Sequence, residues 1–116
     1  MLKKALRLKS NDDFRRVFKN SRQAYAGRLA IRAAKSSKQE VTRVGFVVSN
    51  KIEKRATRRN ALKRRLRAFM ADLISEVEPG YDVVVLVKAS YPFPYNSEEI
   101  GKDLRRGLKD LKLFKK

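Results

Sequence analysis

The sequence predicts a single α+β domain of two layers, with helices packed on one β-sheet in the order helix, strand, strand, helix, strand, helix. A chain of 116 residues with 42% hydrophobic residues is large enough to bury one core. Several segments carry apolar residues at helical spacing, and residues 83–87 form an apolar, mostly β-branched run. No repeat or linker divides the sequence, so we expect residues 1–116 to form one domain.

The first helix is expected over residues 11–20. The hydroxyl of Ser10 can accept from the unpaired amides of the first turn, and two aspartates follow at the positive end of the helix dipole. Three apolar side chains share one face of this helix, and these are Phe14, Val17 and Phe18. Each phenylalanine can belong to the core or form an exposed platform, and the sequence leaves both options open.

Two strands are expected next, over residues 29–34 and 43–49, with the polar residues 35–40 between them. We expect these two strands to pair as an antiparallel hairpin. Gly45, inside the second strand, indicates either a bulge or a close approach of another group to the backbone.

The longest helix is expected over residues 62–77, where apolar side chains recur at helical spacing until a Pro-Gly pair ends the segment. Residues 81–89 have the composition of a central strand that is covered on both faces. Two prolines follow, and they cannot donate to a strand ladder. Asn96 or Ser97 then caps a last helix, which has two glutamates in its first turn and lysines at its end.

The chain is strongly basic, with 30 Lys and Arg against 12 Asp and Glu and a formal net charge of +18. Solubility requires far less charge, so we expect a polyanionic partner, and nucleic acid fits best. Each phosphate contact releases counterions, which gives a log-log salt slope of about −0.7 to −0.9 per contact. Arginines near the expected strands either protect strand edges or face RNA. They are Arg28, Arg32 and Arg43.

The absence of Cys and His excludes disulfides, thiol nucleophiles, imidazole bases and the common zinc sites. The acids lie mostly at expected helix starts, where they complement the dipole. We therefore expect no catalytic residue, no metal ligand and no cofactor bound by the protein alone. The apolar runs are too short to span a bilayer and no signal peptide is evident, so we expect a soluble, unprocessed, cytoplasmic protein without a membrane partner.

Residues 51–67 carry nine basic residues and one acid in seventeen positions. No acid lies four residues from any of these cations, so the helix repels itself and crowds positive charge at its positive dipole end. Phosphate oxygens relieve both conflicts. At about 100° per residue, Arg59 falls on the side that faces the sheet, and we expect it to project towards a cleft beside the strands. The outward strip consists of Asn60, Lys63, Arg64 and Arg67.

Three motifs, in order along the chain, resemble the protein subunit of bacterial ribonuclease P. Residues 7–18 contain Arg-Leu-Lys-x-x-x-Asp-Phe-x-x-Val-Phe, which is similar to the first helix of that family. Residues 44–49, Val-Gly-Phe-Val-Val-Ser, are followed by Lys51 and resemble its strand into the basic loop. Residues 59–67 contain Arg-Asn-x-x-Lys-Arg-x-x-Arg, which is similar to the signature of its basic helix. The resemblance covers nearly the whole chain.

The resemblance implies a fold of order αβββαβα, with a mixed central sheet and a left-handed βαβ crossover, which is the rarer hand. It also implies that a large RNA subunit with bound Mg²⁺ hydrolyses precursor tRNA to free the mature 5′ end. The protein of that family binds the RNA subunit, and it holds the 5′ leader in a cleft between the first helix and the sheet. The partners expected for this chain are therefore the RNA subunit and precursor tRNA, without DNA.

Carried over to this chain, the resemblance implies two sets of site residues. The set that binds the RNA subunit consists of Lys51, Lys54, Arg55, Arg58, Arg59, Asn60, Lys63, Arg64 and Arg67. The set that lines the leader cleft consists of Phe14, Phe18, Arg28, Arg32 and Lys51. Bases of a single strand stack on aromatic faces at about 1 to 3 kcal/mol each, so an exposed phenylalanine suits the leader.

The sequence departs from the family pattern in the basic segment. Ala61 stands where many members have a second arginine, so one phosphate interaction is either missing or made instead by Arg58 or Arg65. Asn50 stands where a lysine is common.

A further departure concerns the first of the two expected strands. Ala33 and Ala34 stand where some relatives present an aromatic residue to the leader, and Tyr25 is a candidate substitute.

The alternative function is that of a ribosomal or other structural RNA-binding protein, which explains the charge, the size and the missing catalytic groups equally well. Only the ordered motifs argue against it. A basic amphipathic helix that acts at membranes is disfavoured, because the apolar stripe belongs to a domain with strands to bury it against.

Overall fold

The computed structural model describes residues 6–8, 10–36 and 41–115. The elements follow the order αβββαβα that the resemblance implied. They are α1 (Asn11–Lys19), β1 (Arg22–Ala26), β2 (Leu29–Lys35), β3 (Arg43–Val47), α2 (Ala56–Leu73), a 3₁₀ turn (Ile74–Glu76), β4 (Tyr81–Val87) and α3 (Ser97–Asp110). The polar segment expected between the two strands lies mostly at residues 37–40, outside the described residues.

The sheet is mixed and has the strand order β1-β2-β4-β3. β1 pairs with β2 and β2 with β4 in antiparallel fashion, whereas β3 and β4 are parallel. The expected hairpin between β2 and β3 is therefore wrong, because β4 lies between them. β4 is the most apolar strand, and a central position buries both of its faces. The β3–α2–β4 connection is the expected parallel crossover, and its left-handed sense stays a prediction.

The helices lie on both faces of the sheet. α2 and α3 cover the face that carries Ile31, Val83 and Val85, where the main core lies. On the other face, Val17 of α1 packs with Val84 in a smaller cluster. α1 thus adds a partial third layer to the two that were expected, because β4 has apolar side chains on both faces.

Ion pairs fix α1 to the sheet. Asp82 on β4 is fully buried and accepts two hydrogen bonds from the Arg43 guanidinium, each 3.0 Å long. Arg16 of α1 donates to the same carboxylate, and Asp13 of α1 lies 3.3 Å from Arg43. The hydrogen bond to Asp82 raises the pKa of Arg43 above its ordinary value. Arg43 therefore holds α1 in position, rather than protecting a strand edge or facing RNA.

Two of the three helix starts carry the side-chain caps that the sequence predicted. Ser10 accepts from the amide of Asp12 at the start of α1, and Asn96 accepts from the amides of Glu98 and Glu99 at the start of α3. α2 is different, because it has neither a side-chain cap nor an acidic residue in its first turn.

Candidate nucleic-acid interface

The outward face of α2 forms a shallow groove of about 430 Å³. Its lining residues, called the α2 groove below, are Thr57, Asn60, Lys63, Arg64 and Arg67. The four residues predicted to form the outward strip thus lie together, as helical geometry required. The uncapped first turn of α2 presents unpaired amides and the positive dipole end close to Thr57. Cations and helix-end amides together favour phosphate oxygens.

Arg59 does not project into a cleft beside the strands, so that expectation is wrong. Its Nη1 donates to the backbone oxygens of Glu53 at 2.9 Å and Lys54 at 3.0 Å. Residues 48–55 form no helix or strand, and their carbonyls need donors. The Arg59 side chain therefore folds back and fastens this loop to the start of α2. The loop carries the exposed side chains of the remaining predicted cations, which are Lys51, Lys54 and Arg55.

Arg58 and Arg65 lie on the flank of α2 that faces away from the groove. The Arg58 guanidinium stacks over the Phe93 ring at 4.0 Å, and Arg65 donates to the Ser97 hydroxyl at 2.7 Å. The Tyr95 hydroxyl also donates to the Arg58 backbone oxygen, at 3.3 Å. Arg58 is therefore separate from the other members of its predicted set. Neither arginine lines the α2 groove, and a phosphate interaction of either one in place of the arginine missing at Ala61 stays a prediction.

The two phenylalanines of α1 have different environments. Phe14 is half-buried in the smaller core, and a Cβ added at Gly45 would overlap its ring. This confirms the close approach to the backbone predicted for Gly45. Phe18 keeps 39% of its surface exposed, and the Arg32 guanidinium lies 5.4 Å from its ring centre. Of the two rings, Phe18 is therefore the exposed one. The Phe14 ring, called the inner wall below, lies between α1 and the strand β3 at Gly45.

Tyr25 adds a second exposed ring on the same face of the sheet. It lies opposite Ala30 in the register of β1 and β2, and Gln23 lies opposite Arg32, so these side chains share the face that carries α1. Tyr25 is 65% exposed. The sequence raised it only as a possible substitute, because nothing in a short polar segment indicates which face its residues take.

Arg28 does not join Phe18 and Arg32, although the resemblance placed it in the leader cleft. It lies in the β1–β2 turn, where Nε is 3.4 Å from Glu99 and Nη1 donates to the Ser90 oxygen at 2.5 Å. Its guanidinium lies 5.7 Å from the ring centre of Tyr91. These contacts attach the turn to α3 and to the segment after β4, on the side of the sheet away from α1.

A small cleft of about 150 Å³ joins the α2 groove to the inner wall. Arg67 lines both, and Phe14 and Gly45 form the other side of the cleft. Arg7, which bridges to Val44 of β3, also lines it. The sequence contained Arg7 within a motif but gave it no role, because its approach to the sheet depends on the position of the segment before α1.

Two further features of the described residues concern metal ions and membranes. Within residues 6–8, 10–36 and 41–115, no three acidic side chains come close enough together to hold a metal ion. Over the same residues, the structure has no helix with the length and apolar character that crossing a bilayer requires.

Comparison with known proteins identifies the family. The model of the family described as Ribonuclease P matches residues 2–112. The chain belongs to the ribonuclease P protein family. The ribonuclease P protein component of a Pseudanabaena species is 34% identical over 114 residues, which is 98% of this chain and 97% of that protein. That of Beutenbergia cavernae is 36% identical over 97% of this chain and 93% of its own length.

Solved structures of the ribonuclease P family have the same fold. A Staphylococcus aureus RNase P protein mutant with defective mRNA degradation activity superposes with a TM-score of 0.83 at 26% identity, over 96% of this chain and 92% of that chain. The RNase P protein from Thermotoga maritima gives 0.67 at 28% identity, over 90% and 93%. The function of the chain is accordingly that of a ribonuclease P protein component, part of an endoribonuclease ribonucleoprotein that processes tRNA.

Proposed function

We propose that the α2 groove and the preceding loop bind the RNA subunit of ribonuclease P. The observation that carries this proposal is the grouping of Lys63, Arg64 and Arg67 around Asn60, beside a helix start with no cap and no acid. Arginine forks and helix-end amides both suit phosphate oxygens. The loop that Arg59 fastens would present its exposed lysines to the same backbone. Arg58 supports the segment after β4 instead and is left out of this set.

The face of the sheet beside α1 would hold the 5′ leader of precursor tRNA. Phe18 and Tyr25 offer two exposed rings, and stacking on such rings contributes about 1 to 3 kcal/mol per base. Arg32 lies over the Phe18 ring and donates to the Phe18 backbone oxygen, so it is held where a phosphate would pass. Phe14 forms the inner wall. We retain Lys51 in the leader set on the resemblance alone, and we exclude Arg28 because the contacts of Arg28 lie beside α3.

Hydrolysis belongs to the RNA subunit in this proposal, and the protein is a non-catalytic subunit. The described residues include no imidazole, thiol or group of three acids that could act as a base or hold a metal ion. Mg²⁺ would be bound by the RNA, and the cationic protein would lower the concentration that the RNA requires. Only the precursor has a leader to hold, so leader binding would favour substrate over product. Precursor tRNA is the substrate, the location is the cytoplasm, and neither DNA nor membrane is a partner.

Reconstitution tests the proposal. The chain is added to ribonuclease P RNA and precursor tRNA at low Mg²⁺ and near-physiological salt, and cleavage is followed over time. We expect faster cleavage with the chain than without it, and no cleavage by the chain freed of RNA. Unchanged cleavage would support the alternative of a ribosomal or structural RNA-binding protein. Hydrolysis by the chain alone would contradict the non-catalytic role.

A further inference from the structure

α3 carries a second basic surface, which the proposed function does not use. At about 100° per residue, Lys102, Arg105, Arg106 and Lys109 fall within one flank of the helix, and all four are exposed. With Lys115 they are called the α3 flank below. Three acids of α3 lie next to this flank: Glu99 pairs with Arg28, Asp103 accepts from the Tyr91 hydroxyl, and Asp110 is exposed. Glu98, in the first turn, shares the basic flank.

The cations of the α3 flank repel one another. They are spaced three or four residues apart, the spacing at which side chains on a helix are neighbours. Among the described residues, no carboxylate lies within ion-pair distance of Lys102, Arg105, Arg106 or Lys109. Glu98 lies four residues before Lys102 and Asp110 four residues after Arg106, so the repulsion is partly offset on the helix, whereas Arg105 and Lys109 have no acid at either spacing. A row of anionic groups at steps of about 5 Å, one helical turn, would offset the remaining repulsion.

The α3 flank also borders a groove of about 530 Å³ between α3 and the end of the chain. Three cations line it, and they are Arg105, Lys109 and Lys115. The partly buried ring of Phe114 lies between them, and Glu76 is the one acid in the lining. The groove is built on paired backbone, since the Lys115 amide donates to the Glu76 oxygen at 2.7 Å and Val77 bridges to Phe114.

α2 separates this surface from the α2 groove. Phe69 of α2 packs against α3, where a Cβ added at Gly101 would lie 2.5 Å from its ring. On the α2 helix, Phe69 points about 180° away from the middle of the α2 groove. A polyanion that occupies the α2 groove therefore leaves the α3 flank open.

We propose that the α3 flank binds the phosphodiester backbone of an RNA strand other than the one that lies on the α2 groove. This inference rests on the proposed function, because the ribonucleoprotein brings RNA to the protein. RNA fits better than an anionic membrane, since none of the large exposed hydrophobic side chains of the described residues lies on this flank. A strand of regularly spaced phosphates fits a row of cations with a partly exposed ring better than an acidic protein segment does.

The test uses the chain assembled with ribonuclease P RNA and saturating precursor tRNA, so that both the α2 groove and the leader cleft beside α1 are occupied. A labelled single-stranded RNA of about 20 nucleotides, longer than a typical single-strand site, is titrated at several salt concentrations. The variant Arg105→Gln/Lys109→Gln/Lys115→Gln removes three cations of the α3 flank. Each lost phosphate contact should reduce the slope of log affinity against log salt by about 0.7. The triple variant should therefore reduce that slope by about 2 and weaken binding about 50-fold near 0.15 M salt. The matched control Arg22→Gln/Lys35→Gln/Lys88→Gln removes the same charge elsewhere and should bind as wild type does.

Cleavage of precursor tRNA is measured on the same samples. Cleavage that persists while the α3 variant fails to bind the labelled RNA supports the inference. Wild-type holoenzyme that cleaves but does not bind the labelled RNA, or an α3 variant that binds like the control, overturns it. Failure of the wild-type chain to stimulate cleavage contradicts the proposed function separately. Polyglutamate and phosphatidylglycerol vesicles are tested as competitors. If either competes as strongly as RNA does, the assignment to RNA is overturned. Circular dichroism confirms that the variants fold.

Discussion

Replacement of Phe18 by alanine should remove much of the preference for substrate with a leader. The ring is 39% exposed and carries Arg32 above it, so it is available to one base. Stacking of one base is worth about 1 to 3 kcal/mol, which corresponds to about 5- to 150-fold in affinity. Full burial of a phenylalanine contributes about 1.5 to 3 kcal/mol, so removing the partly exposed ring should destabilise the fold by about 1 to 2 kcal/mol. The domain should therefore remain folded.

The assay compares the affinity of the holoenzyme for precursor tRNA and for mature tRNA. Phe18→Ala should lower that ratio, whereas Phe18→Trp should retain it because the larger ring still stacks. Phe93→Ala is the matched control, since Phe93 is also exposed and also lies under an arginine, but in the segment after β4, against Arg58 of α2. Urea unfolding reports any decrease in stability. An unchanged affinity ratio in a folded Phe18→Ala holoenzyme would refute the leader cleft as described.

Three other predictions concern other parts of the molecule. Arg64→Ala should flatten the salt slope of RNA-subunit binding by about one unit, measured by titration at several salt concentrations, and an unchanged slope would remove Arg64 from the interface. Asp82→Asn should destabilise the domain by about 3 kcal/mol in urea unfolding, because two arginines lose their buried counter-charge; a decrease below about 1 kcal/mol would contradict this. Burial, and then its hydrogen bond to a carboxylate, raises the pKa of Tyr91. Folding therefore favours the neutral phenol, and stability should fall as pH rises above about 10, more steeply than in Tyr91→Phe. Parallel pH profiles of the two proteins would exclude this effect.

The parts of the site that depend on helical geometry could be predicted from the sequence. Asn60, Lys63, Arg64 and Arg67 lie together because their spacing on a helix places them on one face. Helical spacing does not determine which groups the end of a long side chain contacts. Arg59 has several rotatable bonds, and it turns back to loop carbonyls that the sequence does not locate.

The sheet shows a different limit. β1, Arg-Gln-Ala-Tyr-Ala, lacks the alternation of a half-buried strand because it lies at an edge, so residue patterns alone missed it. β2 and β3 follow one another in sequence but are separated by β4, because the most apolar strand takes the centre. The choice between Phe14 and Phe18 depended on where α1 rests over Gly45, which is a tertiary contact between residues far apart in the chain.

The internal contacts of the basic segment divide its cations into two groups. Of the nine cations in residues 51–67, three have side chains that stack on or donate to other protein groups, and these are Arg58, Arg59 and Arg65. Six remain whose side chains make no such contact with the described residues. The contacts of Arg58, Arg59 and Arg65 are with neutral groups and leave their charge in place, but they hold those side chains to the protein. The six others can adjust freely to the phosphates of a partner, so they should account for most of the ions displaced when the ribonucleoprotein assembles.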